Sequence, residues 1–143
     1  MTPIDFLEYL IKFTPSFKAA WESDENYFVE DDGTYTYHGV CTEFSHYFID
    51  QEAHKYVVLV DRDWTHTISD TDLKEFFVWL EGRLEENETK KSLTNSFGLL
   101  SNAIYTCFLE NISQTNAGEY AKQFMGKKAR NYFDKWHVYS KKL

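Results

Sequence analysis

Residues 93–112 read LTNSFGLLSNAIYTCFLENI, the longest stretch of the chain that fits one helix while staying mostly apolar. At about 100° per residue, Leu93, Phe97, Leu100, Ile104, Cys107 and Phe108 fall on one stripe in steps of three and four. Leu99 and Ala103 widen the stripe on one side and Ile112 on the other. A helix apolar over that much of its circumference is covered by neighbours from several directions, so the spacing predicts a central helix over residues 91–113. Asn111 falls in the middle of the stripe, with Glu110 on its flank beside Ala103. A buried amide or carboxylate is costly unless hydrogen-bonded. The plainer reading makes Glu110 and Asn111, together with Glu43, a structural polar latch between the helix end and its surroundings. The alternative is a small enzyme or ligand-binding domain with a buried polar site around Glu43, Glu110 and Asn111.

The segment before this helix carries the best-formed start signal in the chain. Ser69 is placed to cap, Asp72 stands at N3, and Ile68 and Leu73 occupy the two positions of a hydrophobic staple. Leu73, Phe76, Phe77, Leu80 and Leu84 then form a clean stripe, which makes this helix an antiparallel neighbour of the central one. After the central helix, Asn116-Ala117-Gly118-Glu119 reads as a second cap with an acid at N3, opening a helix to about Gly126. A last helix places Ala129, Tyr132, Phe133, Trp136 and Tyr139 on one face.

At the other end, Thr2-Pro3-Ile4-Asp5 combines an N-cap, a proline at N1 and an acid three residues after the cap. Thr14-Pro15 stops that helix, because the residue before proline avoids the helical region. Ser16 can cap a short helix with Phe17, Ala20 and Trp21, and helical spacing returns from Val40 to Gln51. Between them the pattern breaks down into ESDENYFVEDDGTYTYHG, residues 22–39. Asp32-Gly33 is a turn signal. The alternation at 34–37 could form a small β-ribbon with the apolar run 56–60, which periodicity assigns to neither helix nor strand. The expected fold is therefore mainly α: one helical domain over 1–143, an irregular bundle or short superhelix of about six helices.

The net charge is −8. After residue 121 seven bases face one acid, so the first 121 residues carry −14. No Lys or Arg lies between Lys18 and Lys55, while nine acids accumulate there. Such blocks mark interaction surfaces more often than they shape folds. An acidic chain has the wrong electrostatic footprint for nucleic acid. No apolar run approaches the ~20 residues that cross a bilayer, and no signal peptide opens the sequence, so the cytoplasm is the expected compartment. Two cysteines far apart in sequence read as reduced, buried thiols, with Cys107 inert within the central stripe.

Catalytic and metal signals are weak. Residues 61–72 resemble a calcium loop, but His66 stands where the sharp turn needs glycine. His38, Cys41, His46 and His54 are ligand types without convergent helical phase. There is no phosphate loop, nucleophile elbow or paired-histidine metal helix, so no catalytic residue, metal or cofactor is assigned and the chain is read as a non-enzyme.

Residues 39–48, GVCTEFSHYF, with Ser101-Asn102-Ala103 and Thr106–Asn111, resemble an uncharacterised family of small helical bacterial cytoplasmic proteins, similar to toxin-immunity proteins. The resemblance covers about Val40 to Asn111 and carries over no catalytic residue. It implies a protein-binding module whose partner is a cognate toxin, possibly a basic one such as a nuclease. Inhibition of that kind needs no chemistry, only a rigid scaffold and a complementary surface. The expected contact surface is the acidic aromatic loop: Tyr27, Phe28, Tyr35 and Tyr37 as anchors, and Glu25, Glu30, Asp31 and Asp32 as steering charges. The chain is expected to be a monomer or weak homodimer. A third reading pairs the acidic segment with the basic C-terminus of another copy.

Overall fold

In the first helix, α1 (Pro3–Phe13), the capping signals act as their chemistry dictates. The Thr2 hydroxyl accepts from the Asp5 amide at 3.2 Å, and the Asp5 carboxylate accepts from the Thr2 amide at 3.0 Å. This reciprocal box satisfies two donors that a helix start otherwise leaves open. The computed structural model describes residues 1–23, 26–53, 68–89 and 96–141. Glu25, His54, the run 56–60, most of 61–72 and Leu93 lie outside them. All regular structure among the described residues is helical, which places the chain in the mainly-α class.

After Thr14 closes α1, a short α2 (Phe17–Trp21) buries both of its end residues. The Ser16 side chain does not cap it; the hydroxyl instead bonds the phenol of Tyr47, which also meets Thr14 Oγ1 at 2.9 Å. α3 (Tyr37–Ala53) starts three residues before the apolar spacing at Val40 indicates. Its cap is Thr36, whose hydroxyl accepts from the Gly39 amide at 3.1 Å. Tyr37 therefore falls one turn ahead of Val40 and Cys41, on the stripe that continues through Phe44 and Phe48, and it is buried. Residues 34–36 are irregular, not a strand.

α4 (Asp70–Thr89) begins at Ser69, whose hydroxyl accepts from Asp72, while Ile68 and Leu73 are buried as a staple. Its stripe of Leu73, Phe76, Phe77, Leu80 and Leu84 is buried throughout, whereas Val78 is exposed. Trp79 leaves the stripe to stack on Tyr9 of α1, with ring centroids 3.7 Å apart and Arg83 5.1 Å from its face.

The central helix, α5, is an α stretch (Ser96–Ala103), a π stretch (Ile104–Leu109) and a final turn (Glu110–Ile112). A π turn takes up about one more residue than an α turn. Residues beyond it are thus set back in phase relative to uniform α spacing. Leu109 and Ile112 point into the core, while Asn111, in mid-stripe by uniform spacing, is at the surface and Cys107 is half-buried. Leu99, 53% exposed, does not widen the buried face. Phe108 remains at the centre, with its ring 5.4–6.3 Å from those of Phe44, Phe48, Phe76 and Phe77. α3 and α4 therefore both pack on α5 through aromatic side chains.

The chain then turns at Thr115, not Asn116, into α6 (Asn116–Ala121), followed by a 3-10 turn (Lys122–Phe124). Thr115 is extended, its hydroxyl accepts from Gly118 at 3.0 Å, and it donates to the Ile112 carbonyl. Gly118 lies so close to that carbonyl that a Cβ would stand 1.9 Å from its oxygen. The last helix, α7 (Lys127–Lys141), is capped from outside its own segment. The Glu81 carboxylate of α4 accepts from the amides of Lys128 at 2.7 Å and Ala129 at 3.0 Å. A carboxylate on two amides at a helix N-terminus satisfies open donors and complements the dipole. No helix among the described residues is long and apolar enough to cross a membrane.

Candidate interaction surface

The segment 26–36 between α2 and α3 has no regular structure, but its polar groups bond to one another and to the end of α2. Asn26 works in both directions: its amide nitrogen donates to the Trp21 carbonyl at 2.7 Å, and its side-chain oxygen accepts from the Phe28 amide at 2.9 Å. Further on, the Glu30 amide donates to the Thr34 carbonyl at 2.8 Å and the Gly33 amide to the Glu30 carbonyl at 2.8 Å. Gly33 has φ of 86°, a left-handed conformation that favours glycine. Asp32 closes the turn, accepting from the Thr34 amide at 2.9 Å and its hydroxyl at 2.6 Å. Those bonds, the hydroxyl foremost, hold the Asp32 carboxyl below the usual carboxylate range.

Aromatic packing fixes the loop to the body. Phe28 lies over Gly39 so closely that a Cβ there would meet its Cβ at 3.0 Å. Tyr35 meets Trp21 edge-on at 5.1 Å. What projects outward is Tyr27, 87% exposed, with Val29, Glu30, Asp31 and Asp32. Four of the eight residues expected to form the contact surface are thus exposed: Tyr27, Glu30, Asp31 and Asp32. Phe28 and Tyr35 are half-buried supports. Tyr37 offers no face to a partner, since it is 5% exposed and its hydroxyl donates to the Met1 carbonyl. Burial pushes its phenol upward, with Asp5 adding to the effect. Glu25 lies outside the described residues.

The polar groups near the end of α5 do not converge. Tyr132 of α7 donates to Glu110 at 3.2 Å. Asn111 donates to Ser45 of α3 at 3.1 Å and to the Cys107 carbonyl at 2.7 Å. Ser45, fully buried, donates its own hydrogen bond to the Thr42 carbonyl at 2.7 Å. Glu43 is half-buried on α3. Glu110 and Asn111 thus reach in different directions, to α7 and α3, and Asn111 is exposed.

Cys41 is the buried thiol, pushed well up by burial and further by Cys107 beside it. Cys107 is half-buried with Thr106 Oγ1 at 3.5 Å. His38 pairs with Asn102 at 2.7 Å, while His46 is exposed. Among the described residues no three His, Cys, Asp or Glu side chains gather as metal ligands would. The feature hardest to read from sequence is Glu81, which looks like one more acid on a solvated helix face until its carboxylate is seen on α7.

Compared with known proteins, the chain matches no family model, no curated protein and no solved structure.

Proposed function

We propose that this chain is a protein-binding module that neutralises a basic partner protein, acting as an immunity protein acts on a toxin, through the surface formed by Tyr27 and Glu30–Asp32. The observation that carries this reading is the combination of exposure and internal hydrogen bonding in one loop. An 87% exposed tyrosine stands beside three exposed carboxylates on a backbone joined by side-chain and main-chain hydrogen bonds. Ordering a loop on binding costs free energy, and a loop held beforehand loses less. Tyrosine supplies contact area with few rotatable bonds, and clustered acids accelerate encounter with a basic surface. A basic nuclease-like toxin fits that chemistry.

The test is affinity capture from the native lysate with two baits, the wild-type chain and a Glu30→Lys/Asp31→Lys variant, whose substitutions keep the Asp32 side chain and its bonds to Thr34. The expected result is a basic protein held by the wild type, lost from the variant, and inhibited in its own activity when the wild-type chain is added. Equal retention by both baits would place the contact elsewhere. Retention without inhibition would leave a binding module that neutralises nothing.

A further inference from the structure

Cys41 and Cys107 stand far apart in sequence, yet the packing of α3 on α5 brings them together. Two polar pairs bracket them. His38 Nε2 of α3 lies 2.7 Å from Asn102 Oδ1 of α5, and Asn111 Nδ2 of α5 donates to Ser45 Oγ of α3 at 3.1 Å. The two helices therefore run in the same direction here, His38 beside Asn102 and Ser45 beside Asn111. Cys41 lies one turn after His38 and one turn before Ser45, on the same face of α3. Cys107 lies one turn before Asn111 and, because a π turn takes up an extra residue, about one turn after Asn102. The two thiols thus occupy the row between the polar pairs, where α3 and the π stretch are the most closely packed of the described elements.

Both residues are free thiols, but their surroundings differ. Cys41 is 2% exposed, and burial pushes its thiol well up, with Cys107 adding to the effect. Cys107 is half-buried, so a small oxidant meets it from solvent. Oxidation of a thiol follows exposure and thiolate character, and a first sulfenic acid is captured by a second thiol close by. One open thiol and one shielded thiol in the same row divide those two tasks.

We propose that Cys107 is an oxidation site for hydrogen peroxide and Cys41 its resolving partner, the two closing a reversible disulfide between α3 and the π stretch of α5. In the first step the Cys107 thiolate attacks one peroxide oxygen. An S–O bond forms, the O–O bond breaks, and the departing hydroxide takes up the proton that the thiol lost, leaving as water. In the second step the Cys41 sulfur displaces the sulfenic hydroxyl. The S–S bond forms, the S–O bond breaks, and the hydroxyl leaves with the Cys41 proton as a second water. Two thiols are oxidised by one peroxide, and an external dithiol reverses the change by exchange. The reaction is independent of what binds at the acidic loop.

The test is the intact mass of the full reduced chain after native treatment with hydrogen peroxide, followed by unfolding and alkylation with N-ethylmaleimide. The wild type is expected to become lighter by its two thiol hydrogens and to take up no maleimide. Dithiothreitol added before alkylation should restore both sites, and peptide mapping should find Cys41 joined to Cys107 within one chain. In Cys41→Ser, Cys107 should accumulate as a sulfenic acid that dimedone captures. In Cys107→Ser, Cys41 should remain a thiol at the same dose. The wild-type mass decides the matter even where a variant fails to fold. A wild type that gains oxygen at Cys107 while Cys41 stays a thiol would overturn the pairing, as would a disulfide between two chains. Loss of the Cys41 thiol at an unchanged rate in Cys107→Ser would overturn the order of attack, and a wild type with both thiols intact would overturn the site.

Discussion

At Phe108, rings from two helices close around a third: Phe44 and Phe48 of α3, Phe76 and Phe77 of α4. Truncating a ring in so many contacts leaves a cavity that its neighbours cannot all fill. Phe108→Ala is expected to cost about 3–5 kcal/mol in urea unfolding. Glu81 is the polar counterpart, being half-buried and joined to two amides of α7. Replacing it with alanine removes a cap across two helices and should cost about 1–2 kcal/mol. In the loop the relevant residue is Asp32. Its lowered carboxyl means that the Thr34 bonds are present above the ordinary carboxylate range and are lost as pH falls through the depressed value. In Thr34→Val the Asp32 titration midpoint, followed by NMR, should move back up, since the hydroxyl is the largest cause of the shift.

The elements show where local sequence is informative. Thr2, Asp5, Ser69 and Asp72 act through bonds within one turn, so the starts of α1 and α4 are legible from the residues alone. The buried stripe of α4 is equally legible because that helix keeps a constant period. The π stretch of α5 is not, since uniform spacing assumes the period that this segment breaks. That is why Asn111 is at the surface and Leu109 inside. Tyr37 was hidden for a related reason: alternating Thr and Tyr suggests a strand, and only the Thr36 cap shows that the helix begins there. Two glycines separate space from backbone freedom at this scale. A Cβ at Gly118 would meet the Ile112 carbonyl, while one at Gly82 meets nothing within 4 Å. Gly118→Ala should therefore destabilise by roughly 1–3 kcal/mol or more. Gly82→Ala, inside α4, should stabilise by about 0.5–1 kcal/mol, both read from thermal or urea unfolding.

For the whole molecule, the asymmetry of charge is visible in the sequence, but its consequence depends on what the fold does with each group. In the C-terminal third Lys122 meets Asp134 at 2.6 Å and Arg130 donates to the Lys122 carbonyl, so part of that basic block serves the fold. In the loop, Asp32 is tied to Thr34, and Glu30 and Asp31 project outward. The sequence marks the acidic aromatic loop as a candidate but cannot separate the tyrosine that projects from those that support, because all four aromatic residues stand within eleven positions of one another. The central claim is that Glu30 and Asp31 steer a basic partner to the exposed loop. The most direct measurement is the association rate of the captured basic protein as ionic strength rises, for the wild type and for Glu30→Lys/Asp31→Lys. The wild-type rate should fall steeply with salt, and the variant should associate about tenfold or more slowly at low salt, with the two curves converging as screening shortens the reach of charge. Two curves that coincide at every salt concentration would contradict it.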